Sequence, residues 1–466
     1  MITSGTPALP SRSGLAASRE SCGVVTTPRA PAREIVGWAM FDFANSSYTT
    51  VIITVVFSVI FPRLVVADAP EYRMGDLLWS VALSVSYGLV VVTAPVLGAI
   101  IDFRAAKKRF LFASYVITVV ATASLYFVGP GYVLLGVLLI VLSNYGFAVG
   151  ESFTSSFLPD LGPTEELGKI SGYAWGLGYV GGIACTGLVL AVVGDQTLEN
   201  FERVRLVGPI TALFFLVAAI PTFLFLRERG TPKVLPPGES LLTMGFRRLL
   251  DTGRALRGFR DLLVFFVSFF FAMAGLSIVI AFAFIYGDQV IRWSATSQML
   301  MFVITNLTAS VGAVGFGFLQ KRWGNLRTFN LTLAIWVVAI VGIWGTPVIT
   351  ERLNSTLGTA WSAESVFLAM GAIAGLCLGA TQSASRTLVA VFSPMSKAAE
   401  FFGFWGLFGK LAAIFGLLSL GVLQVRLGLQ PAILLCSLFF LAALALTLFV
   451  REQRGRAAAA AYVARE

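Results

Sequence analysis

A membrane-length apolar segment with an acid near its start most constrains what this chain can fold into. Residues 37–62 read GWAMFDFANSSYTTVIITVVFSVIFP, and about 20 apolar residues suffice to cross the hydrocarbon core of a bilayer. A carboxylate at that depth costs about 2.5 kcal/mol or more unless it faces a cavity or a partner. At helical spacing, one polar face carries Asp42, Asn45, Ser46 and Thr49. The segment therefore predicts a membrane helix that forms the wall of a polar pathway.

The composition extends this prediction to the whole chain. Of the 466 residues, 57% are hydrophobic and 12% are charged, whereas soluble proteins average about 25% charged residues. We therefore expect an all-α membrane protein with twelve transmembrane helices. The apolar spans lie near residues 35–61, 79–101, 110–128, 132–157, 170–193, 207–226, 262–287, 297–319, 328–349, 364–392, 401–424 and 430–450.

The basic residues are distributed unevenly between the two predicted sides of the membrane. The net charge is +10, and 25 of the 34 Lys and Arg residues fall on the side that carries both termini. Because membrane proteins concentrate such residues in their cytoplasmic loops, both termini are expected to be cytoplasmic. This distribution accounts for the positive charge, so nucleic-acid binding is not expected. The chain uses Arg more often than Lys and is rich in Ala, which indicates a bacterial source. We therefore expect the protein in a cell inner membrane.

A basic central segment separates two halves of the chain. Residues 227–261 carry eight bases and several prolines, which predicts a cytoplasmic linker with a short amphipathic piece near residues 246–256. Residues 1–33 are rich in Ser, Pro, Ala and Arg and lack an apolar signal core, so we expect a disordered cytoplasmic tail. The predicted domains are this tail, a six-helix bundle at 34–226, the linker, a second six-helix bundle at 262–450 and a cytoplasmic tail at 451–466.

The loop after the second span carries a glycine and an acid followed by bases. Its sequence, GAIIDFRAAKKRF, resembles the signature loop between helices 2 and 3 of the major facilitator superfamily, with Ala105 in place of the usual glycine after the acid. The acid can face the positive N-terminal end of a neighbouring helix; alternatively, the bases merely fix topology. The candidate conformational latch comprises Gly98, Asp102, Arg104, Lys107 and Lys108. The corresponding second-half loop has Lys321 at the acid position, which argues against a second latch.

An internal repeat supports the division into two pseudo-symmetric halves. The matched residues are Phe157, Pro159 and Trp175 in the first half and Phe392, Pro394 and Trp405 in the second. The prolines are offset by 235 residues and the tryptophans by 230. Parallel repeats of this kind are typical of major facilitator transporters.

Three charged residues within spans are candidates for the pathway. The offset of 235 pairs Glu151 with Arg386, and the superfamily resemblance implies that helices 1, 4, 7 and 10 surround one cavity. We predict that these two residues interact across the halves, as a gate or as a structural brace. We predict that Asp42 belongs to the substrate or proton site and is not a brace, with a structural role as the alternative. Lys410 either faces this region or snorkels to the membrane surface.

Polar neighbours complete the predicted substrate and proton pathway. Helical spacing adds Asn144 to the face of Glu151 and Gln382 to the face of Arg386. The chain contains no histidine, so proton coupling would depend on carboxylates.

Three motifs together resemble the vacuole-effluxer-like branch of the major facilitator superfamily. They are WAMFDFANSSY at residues 38–48, FLPDL at 157–161 and GYAWGLGYVGG at 172–182. The resemblance implies the major facilitator fold and alternating access, and fungal members are similar to exporters of amino acids from the vacuole. In that family helix 7 tends to carry an acid–glycine pair, whereas this chain has Ala274 and Gly275.

The favoured function is secondary active transport of a small polar solute, with amino-acid efflux as the specific expectation. The alternatives are export of drugs or other metabolites and a non-transporting membrane scaffold or receptor. No nucleophile–base pair, metal cluster or nucleotide-binding loop is visible in the sequence, so no enzyme activity, catalytic residue, metal or cofactor is expected. The expected partners are a small-molecule substrate, the lipid bilayer and protons, and the protein is expected to be a monomer.

Overall fold

The computed structural model describes residues 28–67, 73–235, 240–241, 243–247 and 256–463. Within these residues, twelve helices are long and apolar enough to cross a membrane, which confirms the all-α prediction. They are α1 (Ala32–Val66), α2 (Met74–Arg104), α3 (Lys107–Phe127), α4 (Val133–Asp160), α5 (Leu167–Val193), α6 (Phe201–Phe225), α7 (Arg260–Ile291), α8 (Thr296–Trp323), α9 (Asn325–Trp344), α10 (Ala363–Phe392), α11 (Met395–Ser419) and α12 (Leu429–Thr447).

Two predicted features lie largely outside the described residues. These are most of the tail predicted at residues 1–33 and most of the amphipathic piece predicted near residues 246–256. In the segment predicted as the C-terminal tail, the structure has a further helix, α13 (Glu452–Val463). Its alanine run has high helix propensity, and Arg454 anchors it to Asp261 at the start of α7 with a 2.6 Å ion pair.

The first span is an irregular helix. Its backbone is α-helical over Ala32–Tyr48 and then widens to π-helical turns over Thr49–Val55 and Phe61–Val66. Short π-helical stretches inside α-helices are frequent at functional sites. The first of these turns starts at Thr49, the last residue of the predicted polar face.

Glycines let helices of the two halves approach closely. A Cβ at Gly172 of α5 would clash with the Ala313 carbonyl oxygen of α8, and a Cβ at Gly403 of α11 would lie 2.6 Å from the Ala94 carbonyl oxygen of α2. Such small-residue contacts are a common basis of helix packing in membranes. The halves therefore meet along two helix pairs, α5 with α8 and α2 with α11.

Polar contacts close one end of the bundle, the terminal face, where α1 begins and α12 ends. Lys321 at the end of α8 lies 3.2 Å from Glu166 beside α5, and Arg456 of α13 lies 3.4 Å from Glu165. The first contact joins the two halves, and the second joins the first half to α13, which Arg454 anchors to α7 of the second half. The structure is therefore closed at the terminal face.

Candidate functional site

Two acid–base pairs, which we call the mid-membrane pairs, join the halves within the membrane-spanning helices. Arg386 of α10 lies 2.7 Å from Asp42 of α1, and Lys410 of α11 lies 3.7 Å from Glu151 of α4. In both pairs the acid belongs to the first half and the base to the second. The interface between the halves thus has an acidic wall and a basic wall at this depth.

Arg386 is enclosed by groups from the first half. Its side chain is 1% exposed, and its guanidinium lies 4.9 Å from the ring centroid of Trp38 and 5.1 Å from that of Trp175. Its Nε donates to the Ser171 hydroxyl at 3.2 Å, and Nη2 donates to the Ser171 carbonyl at 3.3 Å. Stacking on aromatic rings and forked hydrogen bonding are both favourable for arginine. These contacts compensate the guanidinium of Arg386 for its burial.

Trp38 is itself held in place by α4. Its indole Nε1 donates a 2.7 Å hydrogen bond to the Thr154 carbonyl oxygen. Because Trp38 and Asp42 are separated by one helical turn, both face Arg386. The sequence pattern W-x-x-F-D therefore supplies both an aromatic face and a countercharge to the same cation, a role that sequence reasoning missed.

The Glu151–Lys410 pair has a more open environment. The side chains are 20% and 19% exposed, and Lys410 Nζ lies 5.2 Å from the ring centroid of Tyr87 and 5.8 Å from that of Phe147. Aromatic faces lower the cost of placing an ammonium group at this depth. The longer distance and the partial exposure make this pair easier to separate than Asp42–Arg386.

Several buried polar groups around the pairs have no hydrogen-bond partner among the described residues. They are Asn45 Oδ1, Trp175 Nε1, Tyr179 Oη and Trp405 Nε1. The Tyr179 hydroxyl is within electrostatic range of both Glu151 and Arg386. An unsatisfied buried donor or acceptor costs about 1–3 kcal/mol, so a bound molecule that supplied partners would be stabilised here. Trp175 and Trp405 are the two tryptophans that the internal repeat matches.

The predicted ion pair between Glu151 and Arg386 is wrong. Each residue pairs instead with an oppositely charged residue that lies closer, on α11 and α1 respectively. The repeat shows that the two positions correspond under the pseudo-twofold relation, but correspondence does not bring their side chains together. Lys410, for which two orientations were open, faces Glu151.

Asp42 bridges the halves in this conformation, although it was expected not to be a brace. Its carboxylate contacts Arg386 Nη2 without a well-aligned hydrogen bond. A contact of that kind can exchange for a better-aligned ligand. Its role in a substrate or proton pathway remains a prediction.

The other predicted pathway residues occupy two kinds of environment. Asn144 is buried and donates a 3.0 Å hydrogen bond to Ser86 of α2, which places it in the α2–α4 contact. Ser46, Thr49 and Gln382 are half-buried, and Asn45 is buried. Their pathway roles remain predictions, and for Asn144 the observed contact favours a packing role.

The predicted latch residue Asp102 faces a helix N-terminus, as its loop suggested. Its carboxylate accepts hydrogen bonds from the backbone N–H groups of Ala399 at 3.1 Å and Glu400 at 2.8 Å, at the start of α11. A Cβ at Gly98 would clash with the Ala399 carbonyl oxygen, so glycine permits this approach. Ala105 takes the left-handed conformation, with φ of 48°, and so retains a turn that glycine forms more easily.

The bases of the latch loop act within the first half. Lys107 forms a buried 2.9 Å ion pair with Asp160, the acid of the FLPDL motif. Lys108 donates from its backbone N–H to the Glu228 carboxylate at 2.7 Å and from Nζ to the Leu226 carbonyl oxygen. Arg104 is exposed. These contacts fix the loop on its own half while Asp102 crosses to the other.

We expect Asp102→Asn to shift the conformational equilibrium away from closure at the terminal face. The amide is a weaker acceptor for two backbone N–H groups and has no charge to interact with the helix dipole. A loss of 1–3 kcal/mol changes a two-state ratio about 5- to 150-fold. Spin labels at Arg109 and Arg322, on the terminal ends of α3 and α8, should show longer distances in the variant.

The matched control is Asp76→Asn, which makes the same change at the exposed opposite end of α2. It should leave the distance distribution unchanged. Superimposable distributions for Asp102→Asn and the parent would remove the latch role.

Comparison with known proteins identifies relatives across most of the chain. The model of a family described as "Vacuole effluxer Atg22 like" matches residues 78–460. The uncharacterized MFS-type transporter YxiO of Bacillus subtilis is 25% identical over 422 residues, which cover 89% of this chain and 94% of that protein. Autophagy-related protein 22-1 of Penicillium rubens is 23% identical and covers 81% of this chain, with 75% of its own length matched.

A solved structure shows that the fold is also shared. The human organic anion transporter MFSD10 superposes with a TM-score of 0.66 at 15% identity, covering 90% of this chain and all of that one. At this identity the likeness establishes the major facilitator fold alone, and it confirms the architecture predicted from the two six-helix halves.

Proposed function

We propose a function from the premise that this chain belongs to the vacuole effluxer Atg22-like family. The chain is a multi-pass membrane transporter of the major facilitator type and not an enzyme. We propose that it is a secondary active transporter that moves a small zwitterion, an amino acid, by alternating access. The observation that carries this proposal is the distribution of charge in the two mid-membrane pairs: both acids belong to the first half and both bases to the second.

A zwitterionic amino acid complements these two walls. Its ammonium group suits Asp42 or Glu151, and its carboxylate suits Arg386 or Lys410. A ligand with one charge would leave either an acid or a base without its partner, and an unpaired charge at this depth is costly. The unpartnered groups of Trp175 and Tyr179 supply further donors for a carboxylate.

The same complementarity couples binding to conformational change. In the closed arrangement the pairs hold the halves together, so opening the terminal face requires that each charge find another partner. A zwitterion supplies both partners at once, and it would bind most tightly where the halves have begun to separate. We infer that the more exposed Glu151–Lys410 pair is the first to exchange.

Orientation follows from the distribution of basic residues. We propose that the terminal face, which carries most Lys and Arg residues, is cytoplasmic and that the protein is a monomer in a cell inner membrane. We propose that closure at the terminal face corresponds to an outward-facing state, in which a substrate would reach the partly exposed Glu151 and Lys410 from outside. Efflux is favoured by the description of the family as vacuole effluxers, and we assign any proton coupling to Asp42 and Glu151.

The proposed domain organisation follows the sequence boundaries. The functional halves are residues 34–226 and 262–450, joined by a linker at 227–261 and flanked by the two terminal segments. Asp42 and Glu151 lie in the first half, and Arg386 and Lys410 lie in the second. Substrate binding at the mid-membrane pairs would therefore engage both halves.

The test compares three ligands that share one branched carbon chain and differ in their charged groups. Purified protein in liposomes should exchange labelled leucine against unlabelled leucine, and leucine should raise the melting temperature. Isopentylamine keeps only the ammonium group and 4-methylpentanoate keeps only the carboxylate, so neither should compete at equal concentration. Equal competition by either singly charged analogue would refute recognition of a zwitterion, and repeating the series with alanine and phenylalanine separates charge recognition from side-chain fit.

A further inference from the structure

A cavity lies at the edge of the terminal face, away from the mid-membrane pairs. It has a volume of about 820 Å³ and is formed by the end of α2, the start of α3, the end of α6 and the beginning of the linker. Its basic lining residues are Arg104, Lys108, Arg109 and Lys233. None of the transport steps proposed above uses this cavity.

The cavity has a surplus of positive charge. Glu228 is the one acid among the described residues that line it, and its carboxylate already accepts the Lys108 backbone N–H at 2.7 Å. Burial raises the pKa of the Glu228 carboxyl above its ordinary value, which weakens its negative charge further at mildly acidic pH. Arg104 and Arg109 are exposed and have no ion-pair partner among the described residues. Two forked cations are thus free to bind an anion.

The wall below these bases is apolar. Phe112 of α3 is 51% exposed, and its ring packs edge-to-face on Phe223 of α6, with centroids 5.2 Å apart. Phe112 lies five residues after the start of α3 and Phe223 two residues before the end of α6. Both are therefore near the ends of membrane-spanning helices, where the acyl chains of a bilayer begin. Leu235 of the linker adds apolar surface.

We propose that this cavity binds the head group of an anionic phospholipid. The phosphate oxyanion would lie between Arg104 and Arg109, and the first part of an acyl chain would cover Phe112 and Phe223. Basic pockets between membrane helices on the cytoplasmic side suit such head groups. A soluble phosphate shares the oxyanion chemistry, but it gains nothing from an aromatic wall at acyl depth, so the lipid is the favoured source.

The site also connects to the latch loop. Lys233 of the linker donates its backbone N–H to the Phe103 carbonyl oxygen at 2.9 Å, and Phe103 follows Asp102 directly. A bound head group between Arg104 and Arg109 would hold both sides of the turn at Ala105. Lipid occupancy therefore restrains the loop that presents Asp102 to α11.

Native mass spectrometry of the full-length protein in detergent tests the proposal. The protein is titrated with phosphatidylglycerol and with phosphatidylcholine that has identical acyl chains. Separate titrations with glycerol 3-phosphate and inorganic phosphate test whether a soluble phosphate binds. We expect saturable binding of phosphatidylglycerol that is stronger than that of phosphatidylcholine, and no binding of the soluble phosphates. Arg104→Gln with Arg109→Gln should weaken phosphatidylglycerol about 10- to 30-fold, since each basic residue near an anionic surface contributes about fivefold.

The matched control is Arg322→Gln with Arg327→Gln, which removes two exposed bases from the corresponding loop of the second half. It should leave phosphatidylglycerol binding unchanged. Phe112→Ser tests the acyl wall separately and should weaken both lipids. Equal loss in the two double variants would overturn the site, and soluble phosphate binding as tight as lipid binding, with no effect of Phe112→Ser, would overturn the lipid assignment.

Discussion

Arg386→Gln is expected to destabilise the folded protein by about 3–5 kcal/mol, because it removes one partner from a buried ion pair and leaves the other uncompensated. The stranded group is Asp42, whose side chain is 10% exposed. The variant also removes a cation that lies about 5 Å from the ring centroids of two tryptophans. The melting temperature of the detergent-solubilised protein and its yield from membranes should both fall sharply.

A double variant separates the ion pair from the packing around it. Asp42→Asn combined with Arg386→Gln removes both charges, so it should recover part of the lost stability while remaining unable to transport. Arg352→Gln, an exposed arginine on the short helix Thr346–Leu357, is the matched control and should melt like the parent. Arg386→Gln with the parent's melting temperature would show that the Asp42–Arg386 pair does not stabilise the fold.

The twelve spans were predictable because the bilayer imposes a simple rule. Every backbone polar group at membrane depth must be paired within the protein, so long apolar segments form helices whatever their neighbours are. Length and hydropathy along the chain therefore suffice to find them. That Asp102 can face a helix N-terminus was also predictable, since its loop resembles the signature loop of the superfamily, but the sequence did not indicate that α11 supplies that N-terminus.

The pairing of the mid-membrane charges was not predictable from the same information. Which acid meets Arg386 depends on the rotation and separation of α1, α4, α10 and α11, and those are fixed by packing across the interface. Gly172 and Gly403 set how closely the halves approach, yet their effect on distant side chains is not contained in a repeat offset. The offset relates the sequence positions of Glu151 and Arg386 by pseudo-symmetry. Whether two side chains touch depends instead on how whole helices are tilted.

The two pairs differ in a way that suggests a division of roles. Asp42–Arg386 is shorter, more buried and surrounded by tryptophans, which suits a contact that stabilises the closed arrangement. Glu151–Lys410 is 3.7 Å long and about one-fifth exposed on each side chain. A partly hydrated pair loses less when it separates, so it suits the first contact with a substrate.

Glu151→Gln should therefore give a protein that folds normally but binds its substrate poorly. A hydrogen bond to a charged group contributes about 1.5–3 kcal/mol, so loss of the Glu151 partner for a substrate ammonium group should weaken affinity about 10- to 150-fold. The melting temperature should stay near that of the parent because both side chains of this pair are about one-fifth exposed, so neither charge would be left fully buried. Leucine-induced thermal stabilisation and counterflow measure the change. Glu199→Gln, at an exposed position in the loop between α5 and α6, is the control.

The combination of Glu151→Gln with Lys410→Gln distinguishes substrate binding from loss of a gate. If the single variant fails because Lys410 has lost its partner, neutralising Lys410 as well should restore counterflow. If Glu151 binds the substrate ammonium group, the double variant lacks that partner too and should remain inactive. We expect the second result, because acids on one half and bases on the other can each bind one charged group of a zwitterion. Recovered counterflow in the double variant would instead show that Glu151 is only a structural partner of Lys410.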